Sequence, residues 1–203
     1  MNFDIVVVAN KRRKPIITDY LKNVDHQVCY SDDPGLPANW TMNPTYKGLC
    51  VFMHQHVGQW NCLEVHKKAI EMSRTDNVLI IEDDARPKSN NWIQIAIDSE
   101  GLLNRFQIVS LHSREYNDVW NKERYMNKFN LFYPKDNTTP RRALGTLAYF
   151  VNKDTLPQIK SHHYNGLPID IFYCNCFNFA FIEPTPFIHD RSKGSLIDKG
   201  VFK

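Results

Sequence analysis

The run Val78-Leu-Ile-Ile81, followed at once by Glu82-Asp83-Asp84, constrains this chain more than any other stretch. Four aliphatic residues in a row fit a strand buried on both faces, as in the middle of an α/β sheet. The three acids then project from its carboxyl end, where open α/β sheets bind their ligands. Carboxylates crowded together repel one another unless a cation sits among them. A divalent ion meets that need, and oxygen ligands suit Mg2+ or Mn2+. Such an ion can bridge a diphosphate and stabilise the charge on a leaving group; clustered acids also serve metal-dependent nucleases. A strand ending in a charged, solvated turn would read the same way. A phosphoryl receiver domain is excluded. It would place its acid pair after an N-terminal strand and a phosphoacceptor Asp at the end of a later one, and neither Phe106–Leu111 nor Leu131–Pro134 ends in Asp.

Strand and helix patterns alternate around this run. Ile5 to Val8 reads as a buried strand ending in Ala9-Asn10, and a helix from Pro15 to about Lys22 follows. His26 to Tyr30 is a short strand stopped by Ser31-Asp-Asp-Pro-Gly35, and residues 34–47 form a Pro-, Gly- and Asn-rich loop. Residues 57–74 are helical, with Cys62, Val65, Ala69 and Met72 on one face. A helix over residues 91–103, capped by Ser89 or Asn90, precedes a strand from Phe106 to Leu111. A strand from Gly145 to Val151, a short helix from Asp154, a helix from Pro168 to Phe177 and strands at Ala180–Ile182 and Phe187-Ile188 complete the pattern. Residues 113–142 are polar and aromatic with little periodicity, which suits a mobile or acceptor-facing segment. The alternation predicts one α/β domain over residues 1–203 with a mainly parallel sheet flanked by helices.

Composition narrows the class. At 203 residues the chain can bury a core without disulfides. Its five cysteines, at 29, 50, 62, 174 and 176, lack zinc-ribbon spacing and read as buried thiols in a reducing, cytoplasmic setting. No apolar run is long enough for a transmembrane helix, and the N-terminus reads as a strand of the fold, with neither the basic flank nor the cleavage site of a signal peptide. The sequons Asn39-Trp-Thr41 and Asn137-Thr-Thr139 then carry no weight. A net charge of +3 permits an anionic ligand or nucleic acid without demanding one. The adjacent His162-His163 has no acid or Cys spacing for a zinc site and reads as surface.

Three blocks in order resemble glycosyltransferase family 25, which includes lipooligosaccharide and procollagen galactosyltransferases. They are Gly58-Gln-Trp-Asn-Cys-Leu-Glu-Val-His66, Val78-Leu-Ile-Ile-Glu-Asp-Asp-Ala85, and Gly145-Thr-Leu-Ala-Tyr-Phe-Val151 with Leu167-Pro-Ile-Asp170. They look like that family's Gly-Cys-x-x-Ser-His block, its Leu-Glu-Asp-Asp strand, and its Gly-Thr-x-Ala-Tyr strand followed by Pro-x-Asp. The N-terminal Val8-Ala-Asn-Lys-Arg-Arg13 departs from the family's Asn-Leu-Asp/Ser-Arg form, and the chain is shorter than many relatives.

The resemblance implies a Rossmann-like nucleotide-binding sheet of the glycosyltransferase A type, a nucleoside-diphosphate sugar donor such as a UDP-sugar, and bound Mn2+ or Mg2+. It implies Asp84 as direct metal ligand, Glu82 or Asp83 supporting it or contacting ribose, and His189 completing the metal site. Asp170 would be the general base of an inverting transfer. The strand end Ala9-Asn10 with Lys11, Arg12 and Arg13, and Arg191 and Lys193 in the tail, would meet the diphosphate or sit near the base. Asp32 and Asp33 would bind uracil or ribose, and Gly145 and Thr146 would line the sugar pocket. Read without the resemblance, Asp170 is a helix cap, Asp32-Asp33 make a turn with Pro34-Gly35, and His189 is a surface histidine. The acceptor is open between a saccharide and a hydroxylated base in DNA, as in viral or bacterial DNA modification. The mixed aromatic and basic residues of 116–142 suit either one. A non-catalytic binder on a degenerate transferase fold is the alternative from a different class.

Overall fold

The computed structural model describes residues 1–11, 18–46, 52–113, 116–136 and 141–190. In chain order the elements are β1 (Phe3–Asn10), α1 (Thr18–Leu21), β2 (Gln27–Ser31), α2 (Met53–Met72), β3 (Asn77–Glu82), β4 (Ala85–Pro87) and α3 (Trp92–Glu100). There follow β5 (Ile108–Ser110), β6 (Trp120–Tyr125), β7 (Phe129–Pro134), β8 (Ala148–Asn152), α4 (Leu156–Ser161), α5 (Ile169–Cys176), β9 (Phe179–Glu183) and β10 (Phe187–His189).

Eight strands form one sheet in the order β2-β1-β3-β8-β5-β9-β7-β6, and β4 pairs with β10 in a separate ribbon. The sheet is mixed. The parallel order expected from alternation holds in β2-β1-β3 and between β5 and β9. β8 runs antiparallel to both of its neighbours, and the β6–β7 hairpin adds an antiparallel edge.

Alternation along the central strands builds a core on each face. Val6, Val8, Val78, Ile80, Tyr149, Val151, Phe179 and Phe181 point to one side, against Leu63, Val65, Ala69 and Ile70 of α2 and against α4 and α5. Ile5, Val7, Leu79, Ile81, Ala148, Phe150, Ala180 and Ile182 point to the other, against Leu21 and the Trp92, Ile95 and Ala96 face of α3. Burying each such Val, Leu, Ile or Phe side chain contributes about 1.5–3 kcal/mol.

On α2, Val65 and Ala69 are buried in the core, and Cys62 and Met72 pack half-buried against the same core, on the face expected. Three readings differ from the sequence expectation. The stretch expected to lack regular structure contains the β6–β7 hairpin, turned by Met126 and Asn127 at φ +47° and +53°. His162 is not a plain surface residue: its ring stacks on Phe172 at 3.7 Å, and burial with the nearby charges of Lys67 and His163 lowers its pKa to about 4. Among the cysteines, Cys29 and Cys174 are buried as expected, but Cys176 is exposed; Cys50 lies outside the described residues.

Candidate functional site

The carboxyl ends of β1, β2 and β3 open into a cleft of about 290 Å3. Its walls hold Ala9 and Asn10 from β1, Ser31 and Asp33 after β2, and Glu82, Asp83 and Asp84 after β3. Because β8 runs against β3, its incoming end stands beside the outgoing end of β3. Ala148 pairs with Ile81, and the Glu82 N–H donates to the Leu147 carbonyl at 2.8 Å. That reversal brings Gly145 and Thr146 into the cleft, and Asp170 reaches it from the first turn of α5.

The three acids do three different things. Glu82 continues the Val78 and Ile80 side of β3, so it turns toward α2. There it accepts a hydrogen bond from the Thr146 hydroxyl and lies 3.6 Å from Nε2 of His66. Burial works to raise its pKa, but His66 and Thr146 hold it below the ordinary glutamate value. Asp83, only 5% exposed, extends the ladder by donating its N–H to the Val8 carbonyl at 2.9 Å, and its carboxylate accepts the Asn10 N–H at 3.3 Å. It fastens the ends of β1 and β3 together. Asp84 meets His189, with Oδ2 and Nε2 2.9 Å apart. The β4–β10 ribbon makes that meeting: Ala85 pairs with His189, and the Asp190 N–H donates to the Asp84 carbonyl at 2.7 Å.

Asp170 is held by backbone. Gly145 N–H donates to Oδ2 at 3.0 Å, and Ile171 N–H donates to Oδ1 at 2.8 Å. Its pKa is nevertheless raised, chiefly by burial and also by the charge of Glu82, with the two N–H donors opposing. Gly145 is required for this anchor. Its φ is +115°, and a Cβ there would come within 2.7 Å of the His112 ring.

Among the expected site residues, Ala9, Asn10, Glu82, Asp83, Asp84, Gly145, Thr146, Asp170 and His189 line the cleft. Glu82 does not join Asp84 and His189 in a close group of three ligands. Among the described residues, the trio whose ligand atoms lie within 4.8 Å of one another is Cys62, His66 and Glu82. Strand alternation is the reason, since it sends Glu82 to the α2 side. Asp32 and Lys11 lie outside the cleft: Asp32 pairs with Lys11 at 3.2 Å and Lys68 at 2.7 Å at the surface. After β2 the chain turns Ser31 and Asp33 inward and Asp32 outward, with Ser31 Oγ donating to Asp33 Oδ1 at 2.7 Å. Arg12, Arg13, Arg191 and Lys193 lie outside the described residues.

Sequence reasoning assigned no role to His66, Asn61 or His112, which also line the cleft, and placed Cys62 in the core. The signal for the helical pair was present: Cys62 and His66 stand four residues apart, one turn of α2. His112 has no such signal, because a hydrogen bond from Nδ1 to the distant Phe187 carbonyl, 3.2 Å away, sets its place.

No protein-family model and no curated protein matches this chain. Solved structures similar to it include A197 from STIV, at 10% identity and TM-score 0.42 over 88% of this chain and 81% of that one. Another is a glycosyltransferase involved in the glycosylation of the major capsid of PBCV-1, at 15% identity and TM-score 0.37 over 77% and 63%. HddC from Yersinia pseudotuberculosis is similar at 11% identity and TM-score 0.36 over 88% and 68%. The functional reading therefore rests on the chemistry of the cleft.

Proposed function

We propose that the chain is a metal-dependent glycosyltransferase that moves a sugar from a nucleoside-diphosphate donor to a hydroxyl acceptor with inversion. The observation that carries this reading is the pairing of Asp84 with His189 in the cleft that also holds the anchored Asp170.

The Asp84–His189 pair suits a divalent ion. Neighbouring ligands of an octahedral Mg2+ or Mn2+, bound at ~2.0–2.1 Å, stand about 3 Å apart; the carboxylate and imidazole atoms are 2.9 Å apart. An ion held there would neutralise the diphosphate of the donor as its bond to the sugar breaks. Asn10, Ser31 and Asp33, at the ends of β1 and β2, offer donors and acceptors for the nucleoside. Gly145 and Thr146 would line the sugar's side.

Asp170 would accept the proton of the acceptor hydroxyl as that oxygen attacks the anomeric carbon. A raised pKa makes it a stronger base, and two backbone donors fix its position without a flexible partner. The acceptor is a saccharide or a hydroxylated nucleobase.

The test is donor hydrolysis. Incubation with a panel of nucleoside-diphosphate sugars and Mn2+ should release nucleoside diphosphate from one of them, and chelation or Asp84→Asn should stop it. Release from none, or release that Asp84→Asn leaves intact, refutes the proposal. Cleavage of plasmid DNA with Mg2+ alone would favour a nuclease.

A further inference from the structure

The cleft contains a second set of ligating atoms that the transfer reaction does not use. Cys62 Sγ, a ring nitrogen of His66 and a carboxylate oxygen of Glu82 all lie within 4.8 Å of one another. Cys62 and His66 project from one face of α2, one turn apart. Glu82 meets them because it sits on the α2 side of β3. All three line the open cleft, so a path from solvent exists.

His66 distinguishes this cluster from a chance grouping. The residue is fully buried, at 0% exposure. Its Nδ1 lies 2.8 Å from the Tyr149 hydroxyl, and the two rings stack within 10° of parallel. That bond fixes the imidazole so that Nε2 faces Glu82. Nε2 itself has no hydrogen-bond partner among the described residues, and Glu82 Oε1, at 3.6 Å, is beyond hydrogen-bond reach. Two nitrogen or oxygen ligands on one tetrahedral zinc ion, at ~2.0–2.1 Å each, stand roughly 3.3–3.5 Å apart. The imidazole and carboxylate are close to that spacing already, and a buried nitrogen that makes no hydrogen bond is what an ion would satisfy.

We infer that Cys62, His66 and Glu82 bind a zinc-type transition-metal ion, with its fourth position open to the cleft. Sulfur, imidazole and carboxylate together select zinc, cobalt or iron over Mg2+. Three protein ligands and one open position is the make-up of zinc sites that act on a bound molecule, whereas structural sites use four. Tyr149 supports the ligating ring from behind, and its hydroxyl lies 3.4 Å from that of Tyr173. Burial first, and then the charges of Glu82, Asp170 and Asp84, push the pKa of the Cys62 thiol well above its ordinary value. Binding then forms the metal–sulfur bond and releases the thiol proton to solvent. This site goes beyond the glycosyl-transfer reading and does not depend on it.

Cobalt(II) titration of the reduced, chelator-stripped protein tests the assignment. Expected is one equivalent of tight binding with a cobalt–thiolate charge-transfer band in the near ultraviolet. Cys62→Ser should abolish that band while the protein keeps its circular dichroism, and Asp84→Asn should leave the band unchanged. Tyr149→Phe should weaken binding about tenfold or more. No charge-transfer band in the wild type, or a band that survives in Cys62→Ser, overturns the inference. Either result leaves Mn2+-dependent donor hydrolysis untouched, so the two readings fail separately.

Discussion

Asp84 and His189 lie 105 positions apart in sequence and 2.9 Å apart in space. The three-residue ribbon of β4 and β10 is what joins them. A cation that binds this pair stabilises the folded chain by mass action. Replacing His189 with Ala removes one of the two proposed ligands and leaves Asp84 in place. Isothermal titration should show Mn2+ affinity falling at least tenfold, with the far-ultraviolet spectrum unchanged. Equal affinity would mean that this pair does not hold the ion.

Asp170 predicts the pH dependence. Burial first, then the charge of Glu82, raises its pKa above the ordinary aspartate value. A general base acts only when ionised, so kcat/KM should rise with pH through a midpoint above the ordinary aspartate value. Asp170→Asn should remove that acid limb and lower kcat by ~10²–10⁴-fold, with donor binding kept. The effect on stability has a definite sign. A carboxyl whose folded pKa is raised contributes stability below its unfolded pKa, and that contribution is lost as pH rises through the folded value.

Gly145→Ala tests the anchor of that base. The new Cβ would press on His112 at a backbone angle that side chains rarely adopt. A loss of ~1–3 kcal/mol in urea unfolding is expected, with a fall in kcat and little change in donor affinity. A variant of full stability and full kcat would show that the Gly145–Asp170 contact is dispensable.

Asp4 carries the opposite pH signature. Burial raises its pKa, but the backbone and guanidinium of Arg74 and the hydroxyl of Ser73 outweigh burial and lower it overall. Its contribution is therefore present above the unfolded aspartate pKa and lost as pH falls through the folded value. Asp4→Asn should destabilise the protein by ~1–3 kcal/mol at pH 7 and by much less near pH 3, read from urea midpoints.

The far edge of the sheet rests on aromatic packing. Phe181 is fully buried, stacks on Phe132 at 4.8 Å and meets Trp120 at 5.0 Å. Phe181→Ala should cost ~3–5 kcal/mol in equilibrium unfolding. A cost below ~1 kcal/mol would mean that the hairpin does not depend on this cluster.

What could be read in the sequence follows from which signals are local. The acids at the end of β3 were legible because an aliphatic run fixes a strand and the acids fix its end. Gly145, Thr146 and Asp170 were legible only through motif order, because the direction of β8 and the position of α5 decide where they stand and no local pattern encodes either. The β6–β7 hairpin was missed because β6 is an edge strand: only Trp120 is buried in it, so Lys122 and Arg124 read as polar loop. Of the expected pair Asp32 and Asp33, turn geometry sends Asp33 inward with Ser31 and Asp32 outward, a one-residue alternation that the sequence does not mark. His66 was overlooked because a histidine among core residues of a helix reads as packing until Glu82 is seen on the same side.

If Asp84 and His189 hold an ion, the cleft should bind a nucleoside diphosphate through it. The most direct measurement is the melting temperature with each nucleoside diphosphate, with and without Mn2+, for the wild type and for Asp84→Asn. One diphosphate should raise the wild-type melting temperature only when Mn2+ is present, and Asp84→Asn should abolish the rise. No shift with any diphosphate and Mn2+, or an equal shift in Asp84→Asn, would contradict it.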